Sequence, residues 1–145
     1  MNIVLSNRQR MVDVRLSSLR EFTKSVADAC LKLPRRKGSV LATLPEVTVI
    51  LVSDRRIAGI HAQFMNEPGP TDVITFQHGE VFISTETAKR QARQFRTTLD
   101  HELRLYIAHG LLHLHGYDDK TQAGAAEMKR VQKKLVDRAL RRSMS

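Results

Sequence analysis

The chain has no tryptophan, and its aromatic residues are five phenylalanines and two tyrosines. So few rings argue against the aromatic platforms on which single-stranded nucleic acids usually stack. Its single cysteine, Cys30, excludes an intramolecular disulfide and fits a reducing cytoplasm. The surrounding SVADACLKL makes Cys30 a small buried helix residue, not a nucleophile. No apolar run approaches the roughly 18 residues that span a bilayer, so nothing is expected to span a membrane. The opening MNIVLSNRQR also lacks the apolar segment of a signal peptide. Acidic residues are outnumbered: Lys and Arg total 24 against 15 Asp and Glu, a net charge of +9. That excess points to a polyanionic partner, either nucleic acid or an acidic membrane surface. The alternative is a basic surface that only aids solubility. Repeats, low-complexity segments and domain boundaries are all missing. One domain over residues 1–145 is therefore expected, burying about 68–70% of its unfolded surface.

Hydrophobic patterning predicts an α+β domain with about four strands and several helices. Residues 2–6 and 46–54 read as strands, the second a β-branched run, EVTVILVSD. Between them LSSLREFTKSVADACLKL has apolar residues at helical spacing and ends at Pro34. Ser53 or Asp54 caps a helix over 55–65, and NEPGP forms a turn. TDVITFQ (71–77) and HGEVFIST (78–85) read as a hairpin. Thr85 and Glu86 open a helix to Phe95, Thr97 or Thr98 caps another over 99–115, and a last helix covers Thr121 to Arg142.

The chemistry concentrates in HGLLHLHGYDD, residues 109–119. The preceding helix turns are apolar nearly all round, so this end is expected to be buried. His109 and His113, four residues apart, leave one helix face on adjacent turns. Gly116 can end the helix in a left-handed conformation, and Asp119 then returns towards the two imidazoles. These offsets match the ligand spacing of metzincins, and two imidazoles, a carboxylate and an open position make a catalytic zinc geometry. The competing reading, two core histidines bonded to backbone, suits a lone histidine better than this set. His115 should point away from that face, exposed or supporting a ligand. Asp118 competes with Asp119 for the third position, but its expected job is to accept an imidazole proton. In H-E-x-x-H peptidases the residue after the first histidine is the general base; here it is Gly110, which disfavours peptidase chemistry.

HGLLHLHGYDD resembles the H-G-x-L-H-L-x-G-Y-D-H signature of the YbeY endoribonucleases, bacterial ribosomal RNA maturation factors. TDVITF resembles that family's T-[DN]-V-L-S-F strand, GEVFIST its hairpin partner, and HELRLYIAHG its approach to the metal helix. The similarity runs in order from about residue 46 to 132. It implies a small α+β fold with the metal helix beneath a mixed sheet. It also implies a single-strand-directed, metal-dependent RNA hydrolase of ribosomal RNA processing and ribosome quality control. The expected partners are ribosomal RNA and the small ribosomal subunit, in the cytoplasm, with no small-molecule cofactor. Carried over by position, His109 and His113 are zinc ligands. The family's third ligand is histidine, and this chain has Asp119 there. A carboxylate lowers the site's charge and moves its selectivity towards manganese or iron. Met65 stands where the family has an arginine facing substrate, six residues before Thr71. Methionine cannot clamp phosphate.

Candidate replacements for that arginine are Arg55 and Arg56, or Lys89, Arg90, Arg93 and Arg96, each of which can equally be a solvated charge. RNA-binding positions are expected at Arg55, Arg56, Arg90 and Arg93 and on the last helix at Lys133 and Lys134, contacting backbone with little sequence preference. Glu102 is a weak candidate for the proton acceptor, seven residues before His109. His61 and His78 are others, and Asp72 lies near the family's cleft. Two alternatives stand against the nuclease. One is a non-catalytic ribosome-assembly factor retaining a structural metal; the other is a 2-His-1-carboxylate iron enzyme.

Overall fold

The structure is a computed structural model that describes residues 1–65 and 71–144. Among these described residues four strands, β1 (Asn2–Asn7), β2 (Glu46–Val52), β3 (Val73–Thr75) and β4 (Glu80–Ser84), form one sheet in the order β1-β2-β4-β3. β1 pairs parallel to β2 and β2 parallel to β4, while β3 runs antiparallel to β4 at the edge. Five helices accompany them: α1 (Leu16–Leu31), α2 (Asp54–Met65), α3 (Thr85–Phe95), α4 (Leu99–Leu114) and α5 (Gln122–Met144). The chain is thus α+β with a mixed sheet, as its patterning predicts. The expected NEPGP turn, 66–70, lies outside the described residues.

β2 explains the layering. Val47, Val49 and Leu51 face one core with α1, α4 and α5, while Ile50 and Val52 face a smaller core with Ile57 and Ile60 of α2. A strand buried on both faces reads as a continuous β-branched run, which is what EVTVILV is. Burial of each such side chain stabilises the fold by about 1.5–3 kcal/mol. Cys30 belongs to the larger core; burial pushes its thiol pKa up to about 12, so it is a packing residue.

α4 is the axis of the larger layer, with α1, α3 and α5 packed around it and the sheet beneath. Leu103, Ile107, Ala108, Leu111, Leu112 and Leu114 are at most 1% exposed, which accounts for a helix apolar on nearly every side. Gly110 faces the sheet so closely that a Cβ would stand 2.7 Å from Cγ1 of Val81 on β4. A carboxylate there, as in the peptidase motif, would collide with the sheet. β3 is shorter than the pattern of 71–77 suggests because the hairpin begins at Phe76: Gly79 N–H donates to its carbonyl at 2.9 Å, and Gly79 has φ +108°.

Candidate metal centre

α4 is capped by Thr98, whose hydroxyl accepts the His101 N–H at 3.0 Å. At its other end the chain reverses at Gly116, which has φ +97°. Gly116 N–H donates to the His113 carbonyl and Tyr117 N–H to that of Leu112, both at 3.0 Å, satisfying carbonyls of the last turn. This turn carries Asp119 back over the helix.

His109 and His113 place their Nε2 atoms 3.1 Å apart, with the rings edge to face. Asp119 lies 3.7 Å from Nε2 of His109 and 3.9 Å from that of His113. Ligand atoms around a tetrahedral zinc, bonded at 2.0–2.2 Å, stand about 3.3–3.6 Å apart, so these spacings bracket what an ion requires. The three residues form a group able to hold a metal ion. The donor chemistry agrees. Gln132 of α5 sets its Oε1 3.1 Å from Nδ1 of His109. An amide oxygen can only accept, so Nδ1 carries the proton and Nε2 turns its lone pair towards the triad. For His113, burial and then the neighbouring His109 lower the pKa, outweighing Asp119, the Tyr117 backbone and Asp118, which raise it. It is therefore kept neutral, the form that binds metals. Asp119 is half exposed, leaving the site open on one side.

That open side is a cleft of about 340 Å³, which also takes in His61, Met65, Thr71, Asp72, Thr75 and Gln77. A second cavity of about 470 Å³ shares Asp72, His109 and Asp119 and extends to Tyr106, Met128, Lys129 and Gln132. Burial, reinforced by the charges of Asp72 and Glu102, raises the Tyr106 hydroxyl pKa and keeps it protonated.

Two sequence expectations, those for His115 and Asp118, need correction. His115 is fully buried, bonded by Nε2 to the Leu33 carbonyl at 3.0 Å and by Nδ1 to Ser39 Oγ at 3.3 Å. The left-handed turn starts one residue later, so His115 stays on the helix side facing the α1–β2 connection. Asp118 binds no imidazole: it is exposed and its Oδ1 accepts the Lys120 N–H at 3.1 Å. The imidazole partner is Gln132, and its sequence signal is a polar residue spaced at helical intervals from Met128 and Leu135, both buried in α5. Glu102 is 5% exposed and lines neither cavity. Of the basic candidates, Arg90 is tied to Asp54 and to Thr87 Oγ1, while Arg93, Lys133 and Lys134 are exposed on α3 and α5. Arg55 and Arg56 line a different groove, together with His78.

The family model described as Endoribonuclease YbeY matches residues 4–139. The chain is 38% identical over 137 residues to Endoribonuclease YbeY of Anaeromyxobacter sp. (strain Fw109-5), covering 85% of this chain and 70% of that protein. It is 32% identical over 123 residues to an Endoribonuclease YbeY of Thermus thermophilus, covering 72% of this chain and 88% of that one. The solution structure of a Thermotoga maritima protein superposes with a TM-score of 0.66 at 28% identity, over 94% of this chain and 88% of the other. Matched by the family model over nearly its whole length and by curated relatives over most of it, the chain belongs to the YbeY endoribonuclease family.

Proposed function

We propose that this protein, one domain over residues 1–145, is a metal-dependent endoribonuclease that cleaves single-stranded RNA. Its place would be ribosomal RNA maturation and ribosome quality control in the cytoplasm, on the small ribosomal subunit. The observation that carries this reading is the convergence of His109, His113 and Asp119 at the floor of an open cleft. No helix among the described residues is long and apolar enough to cross a membrane.

His109, His113 and Asp119 would hold the ion, zinc in the first instance, with manganese or iron also admitted by the carboxylate. When bound, such an ion supplies Lewis acidity, withdrawing charge from a phosphoryl oxygen and acidifying water. The remaining work falls to the chain. Gln132 fixes the tautomer and angle of His109. Burial keeps His113 neutral and ready to bind. Tyr106, protonated, offers a hydroxyl donor in the adjoining cavity, where Lys129 brings a positive charge. Met65 lines the cleft at the position where the resemblance leads one to expect an arginine. Among the chain's own groups, charge developing on phosphate would therefore be met by Lys129.

Met65 also favours the second reading, an assembly factor that binds RNA without cutting it. One experiment separates the two. The purified chain, loaded with zinc or manganese, is incubated with single-stranded and duplex RNA beside His113→Ala, whose fold is checked by circular dichroism. Cleavage of the single strand, reduced at least about 100-fold in the folded variant, supports the nuclease. Binding without turnover under either metal selects the assembly factor.

A further inference from the structure

On the other face of the sheet from the metal centre lies a groove of about 760 Å³, between α2 and the β3–β4 hairpin. Three of the chain's five phenylalanines gather there. Phe64, in the last turn of α2, is 60% exposed, a costly position for so apolar a ring. It is held by its neighbours: Phe64 meets Phe76 edge to face at 5.4 Å, Phe76 stacks on His78 at 5.5 Å, and Phe82 meets Phe76 edge to face at 5.8 Å. Arg55 and Arg56 rim the groove. Neither guanidinium has an ion-pair partner among the described residues, whereas Arg36, Arg90 and Arg104 each have one. An exposed, braced ring beside two such guanidiniums is the arrangement that holds an unpaired base and its phosphates.

We infer that this groove is a stacking subsite for a nucleotide of single-stranded RNA, with Phe64 under the base and Arg55 and Arg56 on the backbone. It rests on the reading of the chain as an RNA-cleaving enzyme and adds a second anchor to it. β3 and the turn that follows it connect the two places. Along this sheet edge Thr75 and Gln77 face the metal cleft while Phe76 and His78 face the groove, so RNA crossing the edge touches both. The overall scarcity of rings argues against stacking only if they are dispersed; here they are concentrated. The net charge of +9 suits a polyanion such as RNA over a basic or neutral apolar peptide.

The test titrates the metal-loaded full chain with a cleavage-resistant phosphorothioate oligouridylate and with an abasic chain of equal length. Phe64→Leu, which keeps an exposed apolar side chain without the ring, should weaken oligouridylate binding about tenfold and leave the abasic chain unaffected. Arg55→Ala with Arg56→Ala should weaken both ligands and lower the salt slope by roughly 1.4. Equal oligouridylate binding by Phe64→Leu and the parent overturns the subsite, as it would if the groove takes a protein segment. Equal losses for both ligands in Phe64→Leu overturn it too. Cleavage is read separately. A parent that cuts RNA while Phe64→Leu binds normally removes the subsite and spares the nuclease; a parent that never cuts, with the ring-dependent loss intact, does the reverse.

Discussion

Gln132 of α5 accepts the Nδ1 proton of His109 on α4, at 3.1 Å, and so aims the opposite nitrogen at His113 and Asp119. A helix far along the chain thereby sets the tautomer of the first histidine in the motif. Asp118, the nearer candidate in sequence, is occupied by a turn.

Gln132→Ala should consequently weaken zinc binding about 10–100-fold, the usual cost of losing an imidazole's partner. Gln132→Glu, which still accepts the proton, should retain affinity. Competition against a chromogenic chelator measures both; an unchanged affinity in the alanine variant would show that Gln132 does not orient the ring.

Gly110→Ala puts a methyl group 2.7 Å from Val81 Cγ1 and 3.2 Å from Thr75 Oγ1. α4 must move off the sheet, and His109 moves with it. The expected loss is about 1–3 kcal/mol in urea denaturation. A variant as stable as the parent would mean that the helix–sheet contact is looser than described.

His115→Ala distinguishes a structural histidine from a ligand. It leaves the Leu33 carbonyl without its buried donor, which should cost about 1–3 kcal/mol in stability. Bound metal per folded chain should not change. Loss of the ion would place His115 in the coordination sphere instead.

Acid stability should report on Asp54. Burial disfavours its charge, but hydrogen bonds from Arg90, Ser84 and Thr87 outweigh that and hold its pKa below the usual value. A depressed carboxyl stabilises the fold fully above its unfolded pKa, about 3.9, and that contribution disappears as pH falls through the folded value. Urea midpoints should therefore drop below about pH 4, and less steeply in Asp54→Asn. Identical pH profiles for the two proteins would remove Asp54 from the acid transition.

Much of this was legible in order along the chain. The period-four histidines, the helix-ending Gly116 and the doubly buried EVTVILV run are local signals, each tied to one backbone geometry. What could not be read is what depends on packing between distant elements. The burial of His115 is set by Leu33 and Ser39, and the service of Gln132 by the way α5 lies on α4. Arg90 reads in the sequence as an RNA-binding cation, but the fold brings Asp54 against it. The aromatic groove is likewise assembled from α2, β3 and β4, where composition showed only scarcity.

The most direct test of the central claim is elemental analysis of the purified chain beside Asp119→Ala and His113→Ala. One divalent ion per parent chain, lost from both folded variants, is the expected result. Full retention of the ion in Asp119→Ala, or a parent that binds none, would contradict it.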